Sequence, residues 1–315
     1  MPIEVVIMEH EARMYTGALA PAFPDVVFHA ALTEAESLPA CANADVIIGL
    51  GPYITPRMAA GTRLRWIQAL TTGTDTVEAL PLAPGVIITS GRGIHGPQMA
   101  ELAFLTMMSL SRDFPAMLAN QRAKKWERWP QRLLLGKTAV LVGVGVISEK
   151  IASRCKAFGM HVIGVSSARE SAPGFDEIMP RARLREAAAR AHFLLVLVPL
   201  TPETTGMIDA GVLAAMRPDG VLVNMARGPV IDEPALIEAL REKRIGGAAL
   251  DVFQTEPLPP ESPLWHLPNV IVTPHVGGMA DVYAQQILPL LHHNLTAFIA
   301  GQMADMRNVV RRRSD

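Results

Sequence analysis

The chain has 315 residues, half of them hydrophobic, which is enough for large buried cores and for two domains rather than one. Lys and Arg total 29 against 30 Asp and Glu; the formal charge of −1 excludes bulk attraction to nucleic acid or to an anionic membrane. Two cysteines, Cys41 and Cys155, are too few for a disulfide framework and suit a reducing compartment.

The opening residues place Glu4, Glu9 and Glu11 around a short apolar run. They lack the basic start and longer apolar core of a secretory signal, so a cytoplasmic protein is expected. Short branched apolar runs then recur at Ile3–Met8, Val46–Ile48, Val86–Thr89, Ala139–Val142, Val162–Val165, Leu194–Val198, Val221–Asn224, Ala248–Val252 and Val270–Val272. Helically spaced segments separate most of them. This alternation predicts an α/β protein with two doubly wound parallel-sheet domains, the larger a Rossmann-type dinucleotide-binding domain. The expected division is 1–98 plus 283–315 for one domain and 99–282 for the other. The most apolar stretch, Phe193 to Leu200, is too short to span a bilayer and reads as a buried parallel strand.

A long helix from Pro97 to Arg112 is apolar on nearly all sides, which predicts burial on every face, against another domain or another subunit. Trp126 and Trp129 follow it and are expected to pack against a second copy of the chain. A last helix, Ala280 to Ala300, is expected to fold back onto the first domain. Its His292 and His293 have no further ligands at metal spacing, so no metal site is assigned. Asn294-Leu295-Thr296 matches a glycosylation sequon but reads as chance without a secretion signal. Arg307, Arg311, Arg312 and Arg313 read as a solvated basic tail.

One turn carries a ligand signature. The strand Ala139–Val142 runs into Gly143-Val144-Gly145-Val146-Ile147-Ser148, and a helix follows with Ile151, Cys155 and Phe158 on one face. The first glycine permits the tight turn, and the second lets backbone approach a pyrophosphate. The helix N-terminus, at Val146 and Ile147, offers free N–H groups to the anion. The third glycine of the pattern is Ser148, small enough to fit, which predicts slightly looser or shifted helix–strand packing. The next strand ends in Val165-Ser166-Ser167-Ala168-Arg169. No acid stands there to bind a ribose 2′-hydroxyl or repel a 2′-phosphate. Ser166, Ser167 and Arg169 favour NADP(H) over NAD(H).

Three later strands end in polar residues: Arg227 after Val221–Asn224, Glu256 after Ala248–Val252, and His275 after Val270–Val272. In an open α/β sheet ligands bind beyond the carboxyl ends of the strands, so all three fall on the side where a nicotinamide would end.

With these segments the chain resembles the D-isomer-specific 2-hydroxyacid dehydrogenases over most of its length. The resemblance rests on Thr72-Gly73-Thr74-Asp75, Arg92-Gly93-Ile94-His95-Gly96, the glycine turn, Pro199-Leu200-Thr201-Pro202-Glu203-Thr204 and the Arg…Glu…His set. The serine-rich end of the second strand and Pro257-Leu258-Pro259-Pro260 are most similar to the short glyoxylate/hydroxypyruvate reductase branch. The resemblance implies hydride transfer between a nicotinamide cofactor and a small 2-keto acid, in a homodimer. Arg227 would hold the substrate carboxylate and polarise its carbonyl. His275 would act as acid and base, oriented by Glu256. The N–H groups of Gly73 and Thr74 would complete the carboxylate site, with Gly51 and Tyr53 as walls. Asp251 would meet the carboxamide, and Pro199, Thr204, Ala226 and Gly277 would line the cofactor groove. Thr71 and Thr72 hint at a polar substrate, while Arg92 and His95 read as structural. Glu256 argues against a formate dehydrogenase, which pairs its histidine with glutamine. A phosphite-type dehydrogenase and a dinucleotide-sensing, corepressor-like binding protein remain as alternatives.

Overall fold

In a computed structural model, residues 1–311 are described; Arg312 and Arg313 of the basic tail lie outside the described residues. The chain divides into two compact units, Met1–Ile94 with the segment from Ala280 onward, and His95–Met279. The division comes four residues before the expected first boundary and three before the second. The long apolar helix begins at Gly96, so all of it belongs to the second unit.

The first unit contains strands β1 (Ile3–Met8), β2 (Val26–Ala31), β3 (Val46–Gly49), β4 (Trp66–Ala69) and β5 (Ile87–Thr89). Its helices are α1 (Ala12–Leu19), α2 (Glu34–Cys41) and α3 (Asp75–Glu78). The sheet order is β2-β1-β3-β4-β5, all parallel. The terminal strand Val309–Arg311 adds antiparallel to β5, a departure from the all-parallel expectation. The returning helix Tyr283–Ile299 packs Ile287, Leu291, Leu295 and Phe298 against one face with α1, and α2 covers the other.

The second unit begins with α4 (Gly96–Ser111) and α5 (Phe114–Arg122). Its strands are β6 (Thr138–Val142), β7 (His161–Ser166), β8 (Glu177–Pro180), β9 (Phe193–Val196), β10 (Val221–Asn224), β11 (Gly247–Leu250) and β12 (Val270–Val272). They line up as β8-β7-β6-β9-β10-β11-β12, all parallel. The order reverses between β6 and β9, the Rossmann arrangement with its switch point beside the glycine turn. Helices α6 (Val146–Ala157), α7 (Leu184–Arg190), α8 (Ala210–Ala215) and α9 (Glu233–Arg241) complete it. One face packs on α4 and α6, the other on α7, α8 and α9.

The sequence reading misses β2, β4 and β8. At β2 the run includes His29 and half-exposed positions at a sheet edge. At β8 the strand ends in Pro180, which an edge strand tolerates because one side of its ladder is unpaired. At β4 a glutamine interrupts the apolar run, yet Gln68 is fully buried. It sits in a closed polar network: Trp66 Nε1 donates to Thr89 Oγ1 at 2.8 Å, Thr89 Oγ1 to Gln68 Oε1 at 2.8 Å, and Asn294 Nδ2 to the same oxygen at 3.1 Å. Asn294 also brackets the backbone of Arg307, accepting from its N–H at 2.8 Å and donating to its carbonyl at 3.2 Å. The sequon asparagine is thus a core residue that ties the returning segment to the central sheet, leaving no place for a glycan on the folded chain.

Within the single chain, Met99, Ala103 and Met107 of α4 are buried, while Leu105 is 59% and Met108 38% exposed. No helix among the described residues is long and apolar enough to cross a membrane.

Removing one member of a buried network leaves its partners unsatisfied. Asn294→Ala is expected to lower the unfolding free energy by about 3 kcal/mol, read from urea denaturation. A loss within experimental error would show that the network does not hold the returning segment.

Candidate active site

The cofactor turn fits an anion on steric grounds. Gly143 has φ +101°, and a Cβ there would lie 3.0 Å from the carbonyl carbon and oxygen of Leu197. Gly145 precedes α6 with open space where its Cβ would stand, and no side chain caps the helix. Val146 beside it is 46% exposed and Ile147 half-buried, so the unsatisfied first-turn N–H groups meet solvent at the switch point. Ser148 corrects an expectation. It is 2% exposed, and its hydroxyl donates to the Gly143 carbonyl, so the third-glycine position braces the turn rather than loosening it.

At the end of β7 the three predicted 2′-phosphate residues have different surroundings. Ser166 Oγ accepts the backbone N–H groups of Ala168 and Arg169 at 3.1 and 3.0 Å, which shapes the turn. Arg169 pairs through Nη1 with Glu149, in the first turn of α6, so its charge is already compensated. Ser167 is exposed, and Nη2 of Arg181 donates to its hydroxyl at 3.4 Å. Neither Glu149 nor Arg181 was singled out in the sequence. The legible signal was an acid in the first turn of a helix expected to receive an anion.

Several predicted groove residues turn out to be loop builders. Thr204 is 1% exposed; its hydroxyl donates to the Pro199 carbonyl at 2.7 Å and accepts from Thr201 N–H at 2.8 Å. Its hydroxyl fixes the loop after β9. Ala226 has its N–H bonded to Asn224 Oδ1 at 3.1 Å and its carbonyl to Arg227 Nη1 at 2.8 Å. Asp251 is 4% exposed and accepts three hydrogen bonds from its own neighbours. Its Oδ1 accepts from Thr273 Oγ1 at 2.6 Å and from Val276 N–H at 3.0 Å, and its Oδ2 from Gly277 N–H at 2.9 Å. A Cβ on Gly277 would come 2.8 Å from that Oδ2, so the glycine is needed for the clamp itself.

The clamp holds the loop that carries His275, whose φ is +54°. A side-chain-bearing residue in this left-handed region costs roughly 1–2 kcal/mol, which the bonds on both sides of it offset. Glu256 arrives from the loop after β11. Its Oε1 accepts from Phe253 N–H at 3.0 Å, and its Oε2 lies 2.7 Å from Nδ1 of His275. With the carboxylate ionised, Nδ1–H is the donor, which leaves Nε2 to exchange a proton. Arg227 follows β10, and its carbonyl accepts from Asn224 Nδ2 at 3.2 Å. A Cβ on Gly228 would fall 1.9 Å from the Phe253 carbonyl, so only glycine lets the Arg227 and Glu256 loops pass this closely.

Electrostatics links the three. The hydrogen bond that His275 donates to Glu256 raises the His275 pKa above the ordinary imidazole value; burial opposes this, the Glu256 charge adds to it, and Arg227 subtracts. Burial pushes the Glu256 carboxyl up, but the bonds from His275 and Phe253 outweigh it and leave the pKa lowered, with Arg227 contributing. The result is an imidazole–carboxylate pair that favours the protonated ring, beside a guanidinium at the carboxyl ends of adjacent strands, with 43% and 35% of the two paired side chains exposed. Such a group can bind a carboxylate, polarise a carbonyl and transfer a proton.

In the first unit, Gly51 is buried where a Cβ would meet the Thr71 hydroxyl at 2.9 Å. That hydroxyl donates to the Gly73 carbonyl at 2.7 Å, so Thr71 shapes the turn and is a poor guide to substrate polarity. Thr74 is 7% exposed and donates to Glu78 at 2.6 Å. Tyr53 is 64% exposed. The N–H groups of Gly73 and Thr74 have no acceptor among the described residues, which suits them to an anion. Arg92 is exposed and its carbonyl accepts from Asn308 at 2.7 Å; His95, in the second unit, is buried against Gly278.

Comparison with known proteins agrees with this geometry. Residues 104–277 match the family described as D-isomer specific 2-hydroxyacid dehydrogenase, NAD binding domain. The chain is 32% identical over 295 residues to a D-3-phosphoglycerate dehydrogenase of Methanocaldococcus jannaschii, covering 89% of this chain but 54% of that one. It therefore spans about half the length of such relatives. A glyoxylate reductase of Korarchaeum cryptofilum is 33% identical over 274 residues, covering 83% of this chain and 81% of that protein. Among solved structures, a D-isomer specific 2-hydroxyacid dehydrogenase family protein from Aeromonas salmonicida superposes with TM-score 0.92 at 30% identity, covering 99% of both chains. An NADPH-dependent glyoxylate/hydroxypyruvate reductase from Sinorhizobium meliloti, solved with NADP and sulfate, gives 0.85 at 28% identity, covering 98% of both. With the parallel seven-stranded sheet, the glycine turn at its switch point and this match over more than half its length, the chain belongs to the D-isomer-specific 2-hydroxyacid dehydrogenase family.

Proposed function

We propose that the chain reduces a small, glyoxylate- or hydroxypyruvate-like 2-keto acid to the D-2-hydroxy acid with NADP(H). The observation that carries this reading is the 2.7 Å contact between His275 Nδ1 and Glu256 Oε2, beside Arg227. It supplies a proton donor that stays charged above the ordinary imidazole range and a permanent cation for the substrate carboxylate. Gly143, Gly145 and the start of α6 would hold the pyrophosphate, and the bound dihydronicotinamide would supply the hydride.

The chain's own residues do the rest. Arg227 is assigned to the carboxylate and to the carbonyl oxygen, where its fork stabilises the negative charge that develops on reduction. The Gly73 and Thr74 N–H groups are assigned to binding an anion. His275 gives its Nε2 proton to that oxygen, while Glu256 holds the ring and stabilises the imidazolium before transfer; in the oxidative direction His275 takes the proton back. Asp251 acts here as a positioning residue, through the loop that carries His275.

A homodimer is proposed on the row of exposed apolar side chains in the second unit: Leu105, Met108, Phe114, Leu118 and the 91%-exposed Trp126. Trp129 is half-buried within the single chain. The two free, buried cysteines support a reducing compartment, and the cytoplasm is the proposed location.

Three measurements test the reading. With NADPH and a panel of 2-keto acids, the wild-type chain is expected to turn over, and His275→Ala to lower kcat by about a thousandfold. Inert cofactor binding by the wild type, or near-normal turnover in the variant, would overturn it. The pH profile tests Glu256. His275 has a raised pKa, so its protonated form and hence reduction are fullest at low pH and fall as pH rises through that value. Glu256→Gln is expected to move this falling limb of kcat/KM to lower pH; an unmoved limb contradicts the assigned role. Light scattering at micromolar concentration is expected to give twice the 34.0 kDa chain mass. A monomer would remove the dimer from the proposal.

A further inference from the structure

The end of β7 holds two arginines in unequal electrostatic states. Arg169 is the one that its sequence position points to, but its guanidinium is paired with Glu149. That carboxylate stands in the first turn of α6, beside the turn assigned to the pyrophosphate. An anion reaching Arg169 must compete with Glu149 for the same guanidinium, and the pair presents no net charge to it. Ser166 has its oxygen committed to two backbone N–H groups. The one cation among the three groups expected to bind a 2′-phosphate is therefore already engaged, and Ser166 has only its O–H left to offer.

Arg181 is differently placed. It opens the short turn after β8, the strand paired next to β7, and the Ser166–Pro180 register sets it beside the serine-rich end. Its Nη2 reaches the exposed Ser167 hydroxyl at 3.4 Å. It makes no ion pair among the described residues; the acid whose carboxyl it influences is the fully exposed Glu203, whose pKa is lowered first by its bond to Thr201 and only lastly by the Arg181 charge. Arg181 thus carries a positive charge with no ion-pair partner among the described residues, beside a hydroxyl that can also bond an oxyanion.

We propose that Arg181, with Ser167, is the residue pair that selects a cofactor bearing a ribose 2′-phosphate, and that the Arg169–Glu149 pair is a structural brace between β7 and α6. This rests on the NADP(H) reading above. A phosphate monoester is close to a dianion at neutral pH, and a fork donor that gives up no other ion pair to reach it contributes most. The neutral Arg169–Glu149 pair contributes little to the difference between the two cofactors.

The test is the ratio of kcat/KM for NADPH over that for NADH, measured in the full chain. Arg181→Met is expected to lower the ratio by about thirtyfold, the usual scale for losing a charge-assisted hydrogen bond. Arg181→Lys, which keeps the charge, is expected to recover most of it. The double variant Glu149→Gln/Arg169→Met, which removes the brace as a neutral unit, is expected to keep the ratio within about threefold of wild type. Direct titration with adenosine 2′,5′-bisphosphate and with adenosine 5′-phosphate gives the same comparison without turnover, and covers a variant that binds but does not react. A ratio unchanged in Arg181→Met, or lowered as much in the double variant, overturns the assignment. A wild-type ratio below one instead overturns the NADP(H) reading itself, whichever variant is compared.

Discussion

The arrangement of the second unit depends on one constraint: all seven of its strands are parallel, so every strand delivers its carboxyl end to the same edge of the sheet. Residues far apart in sequence, Gly143, Ser166, Arg227, Asp251 and His275, meet there because each follows or closes such a strand. Parallel strands need covered faces, and the two apolar layers on either side provide them. The polar chemistry is thereby confined to the loops at the edge, where backbone groups freed from the ladder must find other partners.

Those partners are largely carboxylates and hydroxyls of the loops themselves. Asp251 ties Thr273, Val276 and Gly277 into one turn around His275. Ser148 closes the glycine turn, Thr204 the loop after β9, and Ser166 the end of β7. The residues available for a ligand are those left over once the loops have been built. That division separates His275, whose Nδ1 is held by Glu256 while Nε2 is left for proton exchange, from Ser148 and Thr204, whose hydroxyls are consumed internally. It also explains why a left-handed His275 is held in place: its neighbours on both sides are bonded to a single buried carboxylate.

Charge is apportioned in the same way. Glu256 is an asset beside His275 because it favours the protonated ring. Glu149 plays the opposite part beside Arg169, where it cancels a cation that the sequence alone would assign to a ligand. The difference lies in what each carboxylate faces, a titratable imidazole in one case and a permanent guanidinium in the other.

Much of this was legible in the sequence by itself. The apolar runs gave β10, β12 and β1 to the residue, and the glycine turn, the strand ends and the Arg227, Glu256 and His275 set could be read in order. These features are local: a period, a turn residue or a position after a strand is written within a few residues. Only the tertiary structure decided the rest. Gln68 and Asn294 look like polar interruptions and are core residues, because they bond each other from more than two hundred positions apart. Gly228 is required by Phe253, Arg169 is answered by Glu149, and Ser167 acquires Arg181 from the next strand. Whether a polar side chain serves a ligand or its own fold depends on which groups folding brings within hydrogen-bond reach, and a linear pattern does not carry that information.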